Sequence, residues 1–316
     1  MDILLAHGYF LYDDPHELAV MKPYPPLGLL SISAYLKQQG FEVGVFDSTF
    51  SSMEKFEALL ADQQPSAVGL YTTLMTKQNV LQMVQVCKKH GAKVILGGPE
   101  PPHYAENYLT RGADVIVIGE GELTLAELLP ALAKNPPLDD ITGIAYLDAD
   151  GKCVKTAPRV FVQNLDDLPM PDRDAINLKQ YVETWRTHHG MGSISLVTAR
   201  GCPYTCTWCS HSVYGESHRR TSPEKMANEV EYLMERYAPD QFWYVDDVFT
   251  INHRWLKKFA NELKTRGIKV PFECISRADR MNEEVVDLLV PELQRRGRYR
   301  TAYKGETLRD ILRQAD

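Results

Sequence analysis

The chain has 316 residues, enough for about two domains at a common size of about 150 residues each. Hydrophobic residues make up 44% and charged residues 24%, the balance of an ordinary globular protein rather than a disordered or fibrous one. A net charge of −7 argues against a global attraction to nucleic acid or anionic membrane, and the one basic run, Arg295–Arg300, reads as a solvated turn.

At the N-terminus, the apolar run Ile3–Ala6 breaks at His7-Gly8 and has no basic leader, so it does not read as a signal peptide. No segment approaches the ~18 consecutive apolar residues of a membrane span. The expected location is the cytoplasm, where thiols stay reduced. Six cysteines in such a chain read as ligands or core residues rather than disulfides.

From residue 1 to 135, short apolar runs alternate with helix-like stretches. The runs are Ile3–Ala6, Val43–Phe46, Ala67–Tyr71, Lys93–Leu96 and Asp114–Ile118. Between them lie Leu27–Gln39, Met53–Gln63, Lys77–His90, His103–Arg111 and Glu122–Lys134. Strands buried on both faces give continuous Val/Ile/Leu runs, and crossovers of this length hold a helix. The expectation is an α/β fold, a Rossmann-like doubly wound sheet of five parallel strands. Residues 136–192 read as a hairpin, with Asp148–Lys152 at its turn, and a linker through Leu168-Pro169-Met170-Pro171.

From residue 193 to 316 the βα rhythm restarts. Strands are expected at Ser193–Ala199, Gln241–Val245, Pro271–Ile275 and Tyr299–Tyr303. Helices are expected at Pro223–Tyr237, Arg254–Arg266, Glu283–Leu289 and Thr307–Gln314. Units of this size build a TIM-like (β/α) barrel, and four of them make only part of one.

Directly after the first of these strands comes Arg200-Gly201-Cys202-Pro203-Tyr204-Thr205-Cys206-Thr207-Trp208-Cys209. Three thiolates at C-x3-C-x2-C spacing can hold three corners of a [4Fe–4S] cube and leave the fourth iron open. An open position separates a catalytic metal site from a closed structural one. The alternative is structural zinc, with His211 or Cys274 as fourth ligand. That alternative is weaker because zinc favours paired C-x2-C knuckles and only one is present. Cys274 reads better as a core residue.

With Trp208 immediately before the third cysteine, this array resembles the signature of the radical S-adenosylmethionine superfamily. The resemblance implies that S-adenosylmethionine chelates the open iron and is reductively cleaved to a 5′-deoxyadenosyl radical, with flavodoxin or ferredoxin as an electron donor. It also implies cofactor contacts at the ends of the barrel strands. Asp246 or Asp247 would meet the methionine ammonium, although either could equally be a helix cap. Ser276 and Arg277 match the family's third strand, with Arg277 suited to fork onto a carboxylate. The rival role for Arg277 is a surface ion pair with Asp279.

The strand ends of the first sheet carry Thr72-Thr73, Gly97-Gly98 and Gly119-Glu120-Gly121-Glu122, and glycines there let a large flat ligand approach the backbone. No G-x-G-x-x-G follows the first strand, which argues against a nicotinamide cofactor. Together with Lys22–Gly28, these segments resemble the cobalamin-binding domain fused to many radical enzymes. That resemblance makes Thr72, Thr73, Gly97, Gly98, Gly119 and Gly121 candidate cobalamin contacts. Asp14-Pro15-His16 departs from the D-x-H-x-x-G motif of domains that ligate cobalt, so His16 reads as a loop residue rather than a ligand.

The implied activity is cobalamin-dependent radical methylation of an unactivated carbon in a small-molecule substrate. A tetrapyrrole (magnesium-protoporphyrin ester) oxidative cyclase of the same architecture, without methyl transfer, is the alternative. A non-catalytic cobalamin- and metal-binding protein, or an inactive fragment of a longer or split enzyme, are others. No catalytic residue beyond the cofactor ligands is identifiable in the sequence.

Overall fold

A computed structural model of the chain describes residues 1–134, 137–209 and 213–280. The expected strand Tyr299–Tyr303, the helices Glu283–Leu289 and Thr307–Gln314, the basic run Arg295–Arg300 and His211 lie outside the described residues.

All five apolar runs of the N-terminal part are strands: β1 Ile3–His7, β2 Val43–Phe46, β3 Ala67–Tyr71, β4 Lys93–Gly97 and β5 Val115–Val117. They pair in parallel in the order β2-β1-β3-β4-β5. Alternate residues face opposite sides, so each run serves two cores. Leu4, Val68, Val94 and Leu96 pack against α3 (Met53–Gln63) and α4 (Lys77–Lys89). Ile3, Leu5, Ile95 and Val115 pack on the other face with α2 (Leu27–Gln38) and α6 (Gly121–Lys134).

Three details depart from the expected pattern. Asp14 accepts hydrogen bonds from the backbone N–H groups of His16 and Glu17 at 2.9 and 3.1 Å, which caps a short helix, α1 (Pro15–Val20). The stretch at His103–Arg111 divides into a 3-10 turn, Pro101–Tyr104, and α5 (Ala105–Leu109). The hairpin, β6 (Ile144–Leu147) and β7 (Cys153–Lys155), runs antiparallel onto β5 and brings the sheet to seven strands.

Within the expected linker, α7 (Leu178–His189) buries Leu178, Tyr181, Val182 and Trp185 along one stripe. Next, β8 (Ser193–Leu196) is shorter than expected. The following Ala199–Arg200, β9, turns away to pair antiparallel with β10 (Arg219–Arg220). Further on, β11 (Gln241–Tyr244) pairs in parallel with β8 on one side and β12 (Phe272–Cys274) on the other. Helices α8 (Pro223–Tyr237) and α9 (His253–Thr265) supply the crossovers, and Met226, Val230, Leu233, Trp255 and Phe259 cover Ile194, Leu196, Phe242 and Tyr244. Among the described residues this module holds three parallel strands. None of the described helices is long and apolar enough to cross a membrane.

Candidate cofactor cleft

Because β3, β4 and β5 are neighbours, their C-terminal ends fall side by side at one edge of the sheet. Tyr71, Gly97, Gly98, Gly119 and Gly121 there line a cleft with about 1290 Å³ of empty space, open solvent included. The opposite wall comes from the second module, with Ala199, Arg200, Tyr214 and Lys225, and from the linker at Leu168–Pro171. Apolar side chains of the sheet face and its helices, among them Leu5, Ile32, Ile95 and Leu125, form the floor.

The glycines do different work. A Cβ placed on Gly28 or Gly97 meets nothing within 4 Å, so both keep open space in the cleft. Gly98 sits at φ +106°, and a Cβ there would overlap the Thr72 carbonyl oxygen. Thr72 itself is buried and donates its N–H to the Gly97 carbonyl at 2.8 Å. Thr73 and Thr76 bond to each other within the loop, hydroxyl to hydroxyl at 3.2 Å. The two threonines thus secure the loop, and the glycines face the cleft. His16 is exposed on α1.

Glu120 and Glu122, read in the sequence only as part of a glycine-rich turn, are 7% and 3% exposed. They receive Arg200, at 2.8 Å to Glu120 and 2.5 Å to Glu122, and Arg219, at 2.9 Å to Glu120. Burial opposes the charge on Arg200, but the two carboxylates more than offset it and hold its pKa above the ordinary value.

Arg200 directly precedes the cysteine loop. Gly201 follows at φ +80°, where a Cβ would overlap the Ser217 carbonyl oxygen. Cys202 and Cys206 are half-buried, and Cys209 is exposed. The Cys209 N–H donates to the Cys206 carbonyl at 3.0 Å, and Trp208 is 88% exposed. Among the described residues, no three His, Cys, Asp or Glu side chains converge as they would around a single ion. Of the two candidate fourth ligands for zinc, Cys274 packs against the core of the second module and His211 lies outside the described residues.

Arg277 reaches this loop from the end of β12. Its guanidinium lies 4.2 Å from the Tyr204 ring centroid, and Nη1 stands 3.5 Å from the Cys206 sulfur. It also makes the expected ion pair with Asp279, at 2.9 Å. Ser276 shares a hydroxyl hydrogen bond with Thr250.

The fold separates the two adjacent aspartates. Asp246 is 2% exposed and accepts from the N–H groups of Thr198 and Ala199 at 2.6 and 3.1 Å, from the Thr198 hydroxyl, and from Arg220 at 3.2 Å. Burial pushes its pKa up, against the opposing pull of the Thr198 bonds and Arg220. Arg220 stacks 3.8 Å from the Trp255 ring, and burial lowers its pKa to about 10 despite Asp246. Asp247, by contrast, is exposed.

The B12 binding domain family matches residues 19–129, the part that supplies the glycine-bearing strand ends. An uncharacterized methyltransferase of Pyrococcus horikoshii, PH0819, is 29% identical over 271 residues, covering 83% of this chain and 57% of that protein. The anaerobic magnesium-protoporphyrin IX monomethyl ester cyclase of Synechocystis is 27% identical, covering 81% of this chain and 52% of that protein. Residues 19–129 thus match a cobalamin-binding domain family, and the chain as a whole is similar to proteins named as a methyltransferase and a cyclase. Its fold is shared with the cobalamin-dependent S-adenosylmethionine radical enzyme OxsB, solved with aqua-cobalamin and S-adenosylmethionine bound, at TM-score 0.75 and 22% identity. That likeness covers 89% of this chain and 39% of OxsB. The chain spans about half the length of the curated relatives it matches.

Proposed function

We propose that this chain is the cofactor-binding portion of a cobalamin-dependent radical S-adenosylmethionine enzyme that transfers a methyl group to an unactivated carbon of a small molecule. One observation carries the reading. A single cleft has the glycine-bearing strand ends of a cobalamin-binding domain as one wall and the module bearing Cys202, Cys206 and Cys209 as the other. When bound, the [4Fe–4S] cluster and S-adenosylmethionine supply a 5′-deoxyadenosyl radical, and cobalamin carries the methyl group.

The residues present fit these groups. Gly28 and Gly97 leave room that any side chain would fill, and the apolar floor excludes water from a large ligand. Three thiols on one loop at C-x3-C-x2-C spacing suit a cluster with one open iron. Of the two aspartates, Asp247 is the one free to meet the methionine ammonium, since the carboxylate of Asp246 is occupied within the fold. Arg277, beside Cys206, would fork onto the methionine carboxylate by exchanging its exposed pair with Asp279. Trp208 and Ser276 complete the proposed contacts, and a flavodoxin or ferredoxin in the cytoplasm supplies the electron.

The test is anaerobic loading with iron, sulfide and hydroxocobalamin, followed by S-adenosylmethionine and a strong reductant. Release of 5′-deoxyadenosine is expected. Its absence from a protein that has taken up iron rejects the radical reading. A product heavier by a methyl group supports methyl transfer. Loss of hydrogens or ring closure supports the oxidative alternative, which the cyclase relative keeps open.

A further inference from the structure

The two modules meet through a buried ion network that the cofactor reading does not use. Glu120 Oε1 accepts from Arg200 Nη1 at 2.8 Å and Arg219 Nη1 at 2.9 Å; its Oε2 accepts from the Val162 N–H at 2.8 Å. Glu122 takes the second arm of Arg200. Two carboxylates thus face two guanidiniums, and each of the four side chains is about nine-tenths buried or more. The Tyr214 ring lies 5.8 and 6.0 Å from the two guanidinium carbons, and Phe161 lies 4.8 Å from that of Arg219.

Placement gives the network its meaning. Glu120 stands in the turn after β5 and Glu122 in the first turn of α6, both among the residues lining the cleft. The arginines are cross-strand partners on the β9–β10 ribbon, one at each end of the segment that carries the cysteines. Buried ion pairs contribute little net stability against well-packed apolar substitutes, but a forked guanidinium fixes direction as well as distance. A reaction shared between two cofactors needs their separation fixed.

We propose that Glu120 and Glu122 are positioning residues which, through Arg200 and Arg219, set the cysteine loop against the cobalamin-binding domain. The proposal rests on the cofactor reading above for its purpose, and on the geometry for its existence.

The test uses the whole chain with Glu120→Gln, Glu122→Gln, Arg200→Gln and the Glu122→Gln/Arg200→Gln pair. Glu127→Gln, which removes an exposed partner of Arg159 on the same helix, is the control. In cofactor-free protein, amide hydrogen exchange across residues 200–209 and 213–220 is expected to rise at least tenfold in the single variants. It should stay unchanged in β1, β3 and β4 and in the control, and recover in the pair, where no charge is left unmatched. After anaerobic loading, iron release to a chelator should accelerate at least tenfold in the same single variants and stay unchanged in the control. Arg200→Lys keeps the charge without the fork and should fall between, which serves if a glutamine variant fails to fold. Unchanged exchange and iron release in Glu120→Gln and Glu122→Gln would overturn the proposal. So would purely additive effects in the pair, the mark of residues that do not act through each other. If the cofactor reading is the part that fails, the unsubstituted chain takes up neither iron nor hydroxocobalamin, while the exchange measurement still judges the clamp.

Discussion

Replacing Asp246 or Asp247 by Asn should have opposite consequences, although the residues are adjacent and chemically alike. Asp246 Oδ1 takes two backbone N–H groups, and Oδ2 takes the Thr198 hydroxyl and Arg220. Asparagine can keep one oxygen toward the backbone, but its NH2 then faces Arg220, which lies against Trp255 and Phe249 and loses its counter-charge. Breaking a buried pair from one side typically costs 3–5 kcal/mol, and the retained backbone bonds put this case at about 3 kcal/mol. For exposed Asp247, the stability change should stay within about 0.5 kcal/mol. A charge-assisted hydrogen bond to the methionine ammonium contributes about 1.5–3 kcal/mol, so Asp247→Asn should weaken S-adenosylmethionine binding roughly tenfold to a hundredfold. Urea unfolding of the two variants and equilibrium dialysis of the anaerobically loaded protein measure both quantities. Unaltered affinity in Asp247→Asn, or unaltered stability in Asp246→Asn, refutes the division of labour.

Gly97→Val should leave urea stability near that of the unsubstituted chain while weakening hydroxocobalamin binding at least tenfold, because its side chain enters open cleft rather than protein. Gly98→Ala should destabilise by about 2 kcal/mol, since it combines a positive φ with overlap on the Thr72 carbonyl. Asp47 titrates below its ordinary value of 3.8. Burial alone would raise it, but hydrogen bonds from His7, Tyr181 and the Thr49 N–H more than offset that. Its stabilisation is therefore complete above pH 3.8 and is lost as pH falls through the lower folded value. Melting curves of Asp47→Asn and the unsubstituted chain should accordingly converge toward acid and separate toward neutrality; a constant gap contradicts this. Arg277→Lys should keep stability within about 0.5 kcal/mol and lower S-adenosylmethionine affinity about tenfold, as the fork and the Tyr204 stack are lost. Equal affinity by dialysis removes Arg277 from the site.

The first sheet was legible because each apolar run serves two cores and so carries a continuous signal. The hairpin was legible too, but its attachment to β5 was not, since alternation identifies a strand without naming its neighbour. In α7, Leu178, Tyr181, Val182 and Trp185 fall at helical spacing. That signal lies in the sequence directly after the prolines of the preceding linker, which mask it. The cysteine spacing announced its chemistry directly. The acids did not: Glu120 finds Arg200 across 80 residues of sequence, and only the fold tells Asp246 from Asp247.

The β9–β10 ribbon has only two rungs, yet they join the ends of the segment carrying all three cysteines of the array. Closing a flexible loop has an entropy cost that grows slowly with its length, and here folding of the protein meets that cost before any iron arrives. The thiols consequently meet the metal as a tethered set with a high effective local concentration. Assembly should then depend on local ordering of the segment rather than on refolding of either module, which predicts iron uptake without a change in far-ultraviolet circular dichroism.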